Sequence, residues 1–136
     1  MFRMLMRWLF LPVGSLIFLL FLAWFGMRRY ASDQANVTDR IASGSGKSLL
    51  KTYVRNYSAF GVAGRMASAF GSFHFYRVYN DAGDLLATSE WNFGEHEVST
   101  FATEWFGQTA MYPTRHGWAS FSLKECGAQA APTLKD

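Results

Sequence analysis

The chain is poor in residues that could cross-link it or hold a metal. It has one cysteine, Cys126, among 136 residues, so no intramolecular disulfide can form and the domain must be stable through packing alone. Its three histidines are His74, His96 and His116. No His-x-x-x-His, His-Glu-x-x-His or Cys-x-x-Cys pair brings two ligands together locally, as most metal sites do. We therefore expect no metal and no other cofactor.

The local patterns of common catalytic sites are also missing. Serines are numerous, but none stands in a Gly-x-Ser-x-Gly elbow, and Cys126 near the C-terminus is poorly placed for a fixed partner. The carboxylates of Glu90, Glu95, Glu97 and Glu104 have a spacing typical of solvated helix faces and strand ends. The sequence favours a protein that is not an enzyme.

Most of the chain has little net charge. Four of its 13 basic residues, Arg3, Arg7, Arg28 and Arg29, flank one apolar segment, which leaves nine Lys or Arg against ten Asp or Glu from Tyr30 onwards. A nucleic-acid-binding surface needs clustered cations, so we expect no nucleic-acid partner. Arginines beside a bilayer are explained by anionic headgroups.

One long hydrophobic run, residues 8–27, dominates the sequence. It has twenty residues and no charge, and a helix of that length spans about 30 Å, the thickness of the hydrocarbon core of a bilayer. The run is longer than the ~7–15 residues of a signal-peptide core and ends without a small-x-small site. Residues 1–30 are therefore predicted to be an uncleaved, single-pass membrane anchor. The flanking arginines nearly cancel as orientation signals, and a short tail that stays behind on insertion favours an extracytoplasmic domain, periplasmic in a bacterium.

Residues 31–48 are polar and end in glycine and serine, which predicts a flexible linker. The triplet Gly46-Lys47-Ser48 matches the end of a phosphate-binding P-loop. However, Ile41 stands where the first glycine of that motif belongs, and no hydrophobic strand precedes it. The linker interpretation is preferred.

Residues 49–126 are predicted to form one small domain. Apolar spacing predicts a first amphipathic helix over 49–60, resumed over 62–70, and a second over 95–106. Aromatic and β-branched residues predict a hairpin, with strands 73–79 and 85–91 around a turn at 80–84, and a third strand at 117–124. The tail, 127–136, is predicted to be disordered. The fold class is α+β: a transmembrane helix, then a small antiparallel sheet of the hairpin and third strand, packed with two amphipathic helices.

Two alternatives stay open. Residues 59–75 are apolar enough for a re-entrant membrane segment, which Arg65 and three glycines disfavour. Both faces of the hairpin are aromatic, so either both are covered or one binds a partner. The candidate partner contacts are His74, Tyr76, Trp91 and Trp118, although each could equally belong to the core.

An anchor, a tether and an aromatic domain without a catalytic constellation indicate an interaction subunit. We expect a single-pass, non-enzymatic component of a larger envelope assembly, such as a secretion or conjugation apparatus or an accessory subunit of a membrane complex. Its partners would be the lipid bilayer and other proteins, including further copies of itself. The alternative is a membrane-tethered sensor or a domain that binds a ligand or lipid.

Overall fold

The computed structural model describes residues 2–92 and 102–126, and these form an α+β protein. Two α-helices and seven strands are present in this part of the chain. Their bounds are α1 Phe2–Asp33, β1 Asn36–Ala42, β2 Ser48–Val54, α2 Gly61–Ala69, β3 His74–Asn80, β4 Leu85–Thr88, β5 Glu104–Phe106, β6 Thr109–Thr114 and β7 Gly117–Ser122.

The apolar N-terminal run is helical, and the helix is longer than the run itself. α1 has 32 residues, about 48 Å at ~1.5 Å per residue. Within it, Pro12–Asp33 is long and apolar enough to cross a membrane: its most apolar stretch has a mean hydropathy of 1.3 and lies almost wholly outside the protein core. A signal sequence meets the same criteria of length and composition. The exposed apolar side chains of α1 include a dense series from Val13 to Phe25 and, beyond it, Tyr30.

The first four strands form one antiparallel sheet in the order β1-β2-β3-β4. The predicted hairpin is confirmed as β3 and β4. Its turn contains Gly83 at φ +90°, a conformation that favours glycine, and Asn80 closes it, since its Oδ1 accepts a hydrogen bond from the main-chain N of Asp84 at 2.7 Å. Local turn chemistry was sufficient to predict this hairpin.

The predicted linker over residues 31–48 is wrong. α1 continues to Asp33, and six of the seven residues of β1 then pair with β2, with an irregularity between Val37 and Asp39. The Gly/Ser segment is the turn between them, where Ser43 N donates to Ser48 O at 2.8 Å and Gly46 takes φ +72°. β1 is a polar edge strand and is exposed along most of its length, so its sequence has no apolar signal to distinguish it from a loop. A P-loop is excluded because a strand, not a helix, follows Lys47.

The first predicted amphipathic helix, over 49–60, is also wrong. Its first half, residues 49–54, belongs to β2, the strand between β1 and β3. Its buried residues alternate, with Ser48, Leu50 and Thr52 inward. A run of apolar residues this short is compatible with both the 3.6-residue period of a helix and the two-residue period of a strand. The segment is a strand because its backbone pairs with β1 on one side and with β3 on the other. Ser58–Phe60 forms one turn of 3-10 helix, and the resumed segment is the α-helix α2. Its Gly64 packs so closely that a Cβ there would lie 2.3 Å from the main-chain oxygen of Tyr57.

The third predicted strand is confirmed as β7, but it lies in a second antiparallel sheet, of order β5-β6-β7, and not beside the hairpin. The core lies between the two sheets. Its buried members are Leu50, Tyr76 and Val78 from the first sheet, Ala110 and Tyr112 from the second, and Cys126. The second predicted helix, 95–106, lies mostly outside the described residues, and its last three residues are β5. The predicted tail, 127–136, lies wholly outside them.

Candidate functional site

The C-terminal turns of α1 pack directly against the domain. Ala31 is fully buried in a small cluster with Tyr57 and Ala67, against which Trp24 and Met27 also pack. The main-chain N of Asn56 donates to the oxygen of Ala31 at 3.0 Å. The apolar helix is therefore continuous with the domain and attached to it without a flexible joint.

We call this contact region between the end of α1 and the domain the junction. Arg28 lies inside it and is only 2% exposed. Its Nη2 donates to the main-chain oxygen of Glu90 at 3.0 Å, and its guanidinium lies 5.6 Å from the ring centroid of Trp24. The expectation that Arg28 meets lipid headgroups is wrong, because its cation is enclosed by protein. Its neighbour Arg29 does face outward, where it pairs with Asp33 at 3.4 Å.

Arg55, just after β2, connects α1 to the start of β3 and to the segment that follows β4. It is 3% exposed. Its Nε donates to Ser32 Oγ of α1 at 2.9 Å, its Nη1 to the main-chain oxygens of Ser72 at 2.7 Å and His74 at 3.1 Å, and its Nη2 to that of Glu90 at 2.8 Å. The planar guanidinium has donors in fixed directions, which suits such a role. The carbonyl of Glu90 thus accepts from both Arg28 and Arg55.

The side chain of Glu90 completes the network. It is almost fully buried, and its Oε2 forms an ion pair with Nη2 of Arg77 on β3. The guanidinium groups of Arg55 and Arg77 lie 4.7 and 4.9 Å from the ring centroid of Phe75, and Tyr53 stacks on the same ring at 5.0 Å. Arginines and an aromatic stack therefore cover this face of the hairpin, whereas the second sheet covers the other.

The pKa values of four groups in or near the network are shifted, among them those of His74 and Tyr53. Burial, together with the positive charge of Arg55, lowers the pKa of His74. Burial and a hydrogen bond to Tyr79, with 3.1 Å between the two hydroxyl oxygens, raise the pKa of Tyr53 to about 12. The junction therefore favours a neutral His74 and a neutral Tyr53.

The four candidate partner contacts are scattered over the protein. Tyr76 is 1% exposed and lies 4.8 Å, between ring centroids, from Tyr112 in the core, so its expected role at a surface is wrong. His74 is half-buried, and its main-chain oxygen accepts a hydrogen bond from Arg55. Trp91 stacks on Phe25 of α1 at 5.3 Å and belongs to the junction. The structure does not bring these residues together into one site.

Trp118 is the one of the four that is well exposed, at 50%. It lies on the outer face of the second sheet, near Phe106, which is 61% exposed. With Met111 and Glu104 these residues line a shallow cavity of about 280 Å³. Phe106 was missed as a candidate because the sequence assigned it to the apolar face of a helix. On the strand, it points away from the core.

Within residues 2–92 and 102–126, no three His, Cys, Asp or Glu side chains converge as a metal site would require. His96 lies outside that part of the chain. Cys126 is buried and unoxidised, and its carbonyl accepts a hydrogen bond from Ser45 Oγ at 2.9 Å. The role of Arg55 and Glu90 was missed, since a lone charged residue beside a strand gives no local sign of burial.

A scan against protein-family models and searches of curated proteins and of solved structures found no match to this chain. The proposed function therefore depends on the geometry of this chain alone.

Proposed function

We propose that this chain is a single-pass membrane protein whose small α+β domain acts as a non-enzymatic interaction subunit of a larger envelope assembly, at a fixed height above the bilayer. Secretion and conjugation machines, and membrane complexes with accessory subunits, are assemblies of this kind. The observation that carries the proposal is the attachment of α1 to the domain through Arg28 and Arg55.

The position of that attachment agrees with a membrane span. Among the residues that the structure describes, Trp24 is the first of α1 with a hydrogen bond to the domain, and its Nε1 donates to Ala67 O at 3.4 Å. The 22 helical residues before it, 2–23, extend about 33 Å, sufficient for the hydrocarbon core. The exposed apolar side chains between Val13 and Phe25 would face lipid. A cleaved signal would be expected to detach from the mature fold, whereas here the end of the apolar helix contributes buried residues to it.

The attachment supports a role in assembly because it fixes where the surface of the domain lies relative to the bilayer. A flexible tether would leave the domain to search for its partner and would cost ordering entropy on binding. A domain held by buried hydrogen bonds presents its outer surface at one height and in one orientation. This is useful where several membrane proteins must align.

The surface we assign to a partner protein is the outer face of the second sheet around Phe106 and Trp118. Exposed aromatic residues beside a shallow depression are typical of interface anchors, since they bury a large area with few rotatable bonds. Glu104 stands at the rim of the cavity. The expected partner contributes an apolar side chain to the depression, and it can be a second copy of the chain.

A photo-crosslinking amino acid tests this surface in cells. Placed at position 118 of the full chain, it should yield a discrete crosslinked species. Placed at Leu85, which is equally exposed at 50% but lies on β4, it should yield none. Phe106→Ala should weaken the crosslink from position 118 without changing the amount of protein. Crosslinks of equal strength at both positions, or none at 118, would contradict the assignment, and differently tagged copies distinguish self-association from another partner.

A second candidate function is the binding of a small ligand by a membrane-tethered sensor. It is favoured by an open cavity of about 420 Å³ beside α2, whose lining includes Arg55, Tyr57 and Arg65. Arg65 is exposed, and its guanidinium suits an anionic ligand, whereas the donors of Arg55 are already bound within the protein. If this function is correct, inorganic phosphate should raise the melting temperature of the protein in detergent, and Arg65→Ala should abolish the effect while the crosslink from position 118 persists.

We also propose that the domain is extracytoplasmic. Because Cys126 is fully buried, it is unsuitable for labelling with an impermeant maleimide. A Cys126→Ala chain with Ala82→Cys in the exposed hairpin turn serves instead. Labelling in intact cells would support the orientation, and labelling only after permeabilisation would reverse it.

A further inference from the structure

α2 and its C-cap residue, Phe70, carry a line of exposed apolar side chains that the domain does not cover. Val62, Met66 and Phe70 follow one another at intervals of four residues, and they are 74%, 63% and 74% exposed. The opposite side of the helix is buried through Gly64, Ala67 and Ser68. Side chains four residues apart share one helix face. We call these three exposed residues the α2 stripe.

The contacts of α2 with α1 establish how it lies relative to the membrane helix. At its N-terminal side, the ring of Phe60 meets Tyr30 edge-on, with 5.3 Å between centroids. At its C-terminal side, Ala67 O accepts from Trp24, and a Cβ at Gly71 would lie 4.0 Å from the ring of Trp24. Tyr30 and Trp24 are six residues apart on α1, about 9 Å along its axis. α2 therefore slopes along α1, with its Phe70 end nearest to the apolar segment.

That end coincides with the level at which α1 would leave the bilayer. Trp24 lies there, and Trp91 stacks on the neighbouring residue of α1, Phe25. Tryptophan rings are enriched at the boundary between hydrocarbon and headgroups. The dense series of exposed apolar side chains on α1 runs from Val13 to Phe25, with Tyr30 beyond it, and Phe70 continues that series at about the height of Phe25. An exposed basic residue, Arg65, adjoins the stripe, as expected for a helix at a lipid surface.

From this juxtaposition we propose a second membrane contact: the α2 stripe inserts into the interfacial layer of the bilayer beside the exit of α1. The occupant of the stripe is lipid. The proposal depends on the membrane-spanning role of α1 given above, since that role sets the level of the bilayer. The short re-entrant segment considered from the sequence is replaced by a helix that lies in the interface, where Arg65 can keep its charge in the headgroup layer.

The contact would add a second attachment point to a domain already fixed at the junction. With α1 and α2 both held, the domain could neither swing about the axis of α1 nor lift from the surface. The outer face of the second sheet would then point in one direction around the axis of α1, and it would lie at one height above the bilayer.

Spin labels at single cysteines test the contact in the purified full chain, reconstituted into vesicles of phosphatidylcholine and phosphatidylglycerol, where no protein partner is present. The background is Cys126→Ala. Labels are introduced through Phe70→Cys and Met66→Cys on the stripe, Leu85→Cys as an exposed apolar reference away from it, and Phe18→Cys within α1. Power saturation compares collisions with oxygen, which concentrates in lipid, and with a water-soluble nickel complex.

We expect the ratio of oxygen to nickel collisions to be several-fold higher at positions 66 and 70 than at 85, and highest at 18. If positions 66 and 70 match 85 while 18 reports lipid, the stripe is not in the bilayer and the proposal is wrong, although the anchor stands. If 18 also reports water, the anchor itself is wrong, and the proposal falls with it. Each variant should first show the same unfolding midpoint as the background chain. If one of the two stripe variants fails this control, the other is sufficient to test the proposal.

Discussion

Arg28 of the apolar helix donates a hydrogen bond to the main-chain oxygen of Glu90, 62 residues later in the chain, at 3.0 Å. This contact joins a helix whose other face is exposed and apolar to the end of the first sheet. Its guanidinium is enclosed by protein, and its removal would leave a buried carbonyl with one donor fewer.

Arg28→Met should therefore lower the free energy of unfolding of the domain by about 1–3 kcal/mol. Arg29→Met is the matched control, because Arg29 is exposed and its ion pair with Asp33 is a surface pair worth less than about 1 kcal/mol. Urea unfolding of the detergent-solubilised chain, followed by near-UV circular dichroism, measures both. Equal losses for the two variants would mean that the Arg28 contact does not hold the helix to the domain.

Arg55→Lys should prevent stable folding, even though it keeps the charge. A single ammonium cannot reach Ser32, Ser72 and Glu90 at once, and breaking a buried charged network costs about 3–5 kcal/mol, a large part of the stability of a small domain. The yield of protease-resistant protein reports the outcome. Arg65→Lys, at an exposed position, is the control and should fold normally; normal yield from both variants would refute the role assigned to Arg55.

Tyr76→Ala should destabilise the domain by about 3–5 kcal/mol, the usual cost of removing a buried aromatic side chain. Trp118→Ala, at a half-exposed position, should cost about 1 kcal/mol or less yet abolish partner binding. Thermal unfolding and co-purification, performed on the same preparations, separate the two effects. A Tyr76→Ala protein that folds normally but has lost its partner would restore Tyr76 as an interface residue.

Stability should fall as the pH is lowered below about 6.5, in part because of His74. The pKa of His74 is lowered in the folded protein, while the unfolded chain titrates near 6.5. Between these two values the unfolded state binds the extra proton, so this contribution is present above pH 6.5 and is lost as the pH falls towards the folded pKa.

Melting temperatures measured from pH 7.5 to pH 5 should therefore decline less steeply for His74→Gln than for the unmodified chain. His116→Gln, at an exposed turn residue, should follow the unmodified chain. Parallel curves for all three proteins would show that His74 does not titrate differently on folding.

Several elements were predictable because their signals are local. Twenty uncharged residues determine that α1 is an apolar helix, and the Asn80–Asp84 turn with its glycine determines the hairpin. β7 and α2 were predicted for similar reasons of pattern and length. The α+β class also follows from this sequence.

Other elements could not be predicted from local pattern. The spacing of Leu49, Leu50 and Tyr53 fits a helix, and only the backbone partners in β1 and β3 make this segment a strand. β1 has no apolar periodicity at all, because it is a polar edge. Both strands form because of hydrogen bonds to residues that are distant in the sequence. The intrinsic strand propensity of a segment carries no information about those partners.

By itself, then, the sequence determined an apolar helix, an aromatic hairpin and a domain without a recognisable catalytic motif. Tertiary structure decided how they are joined: it buried Arg28 and Arg55 against the carbonyl of Glu90, turned the expected tether into a hairpin and left the α2 stripe exposed beside the helix. The physical reason is that the burial of an arginine depends on acceptors brought from positions 32, 72, 74 and 90, and no window of sequence around Arg55 contains them all.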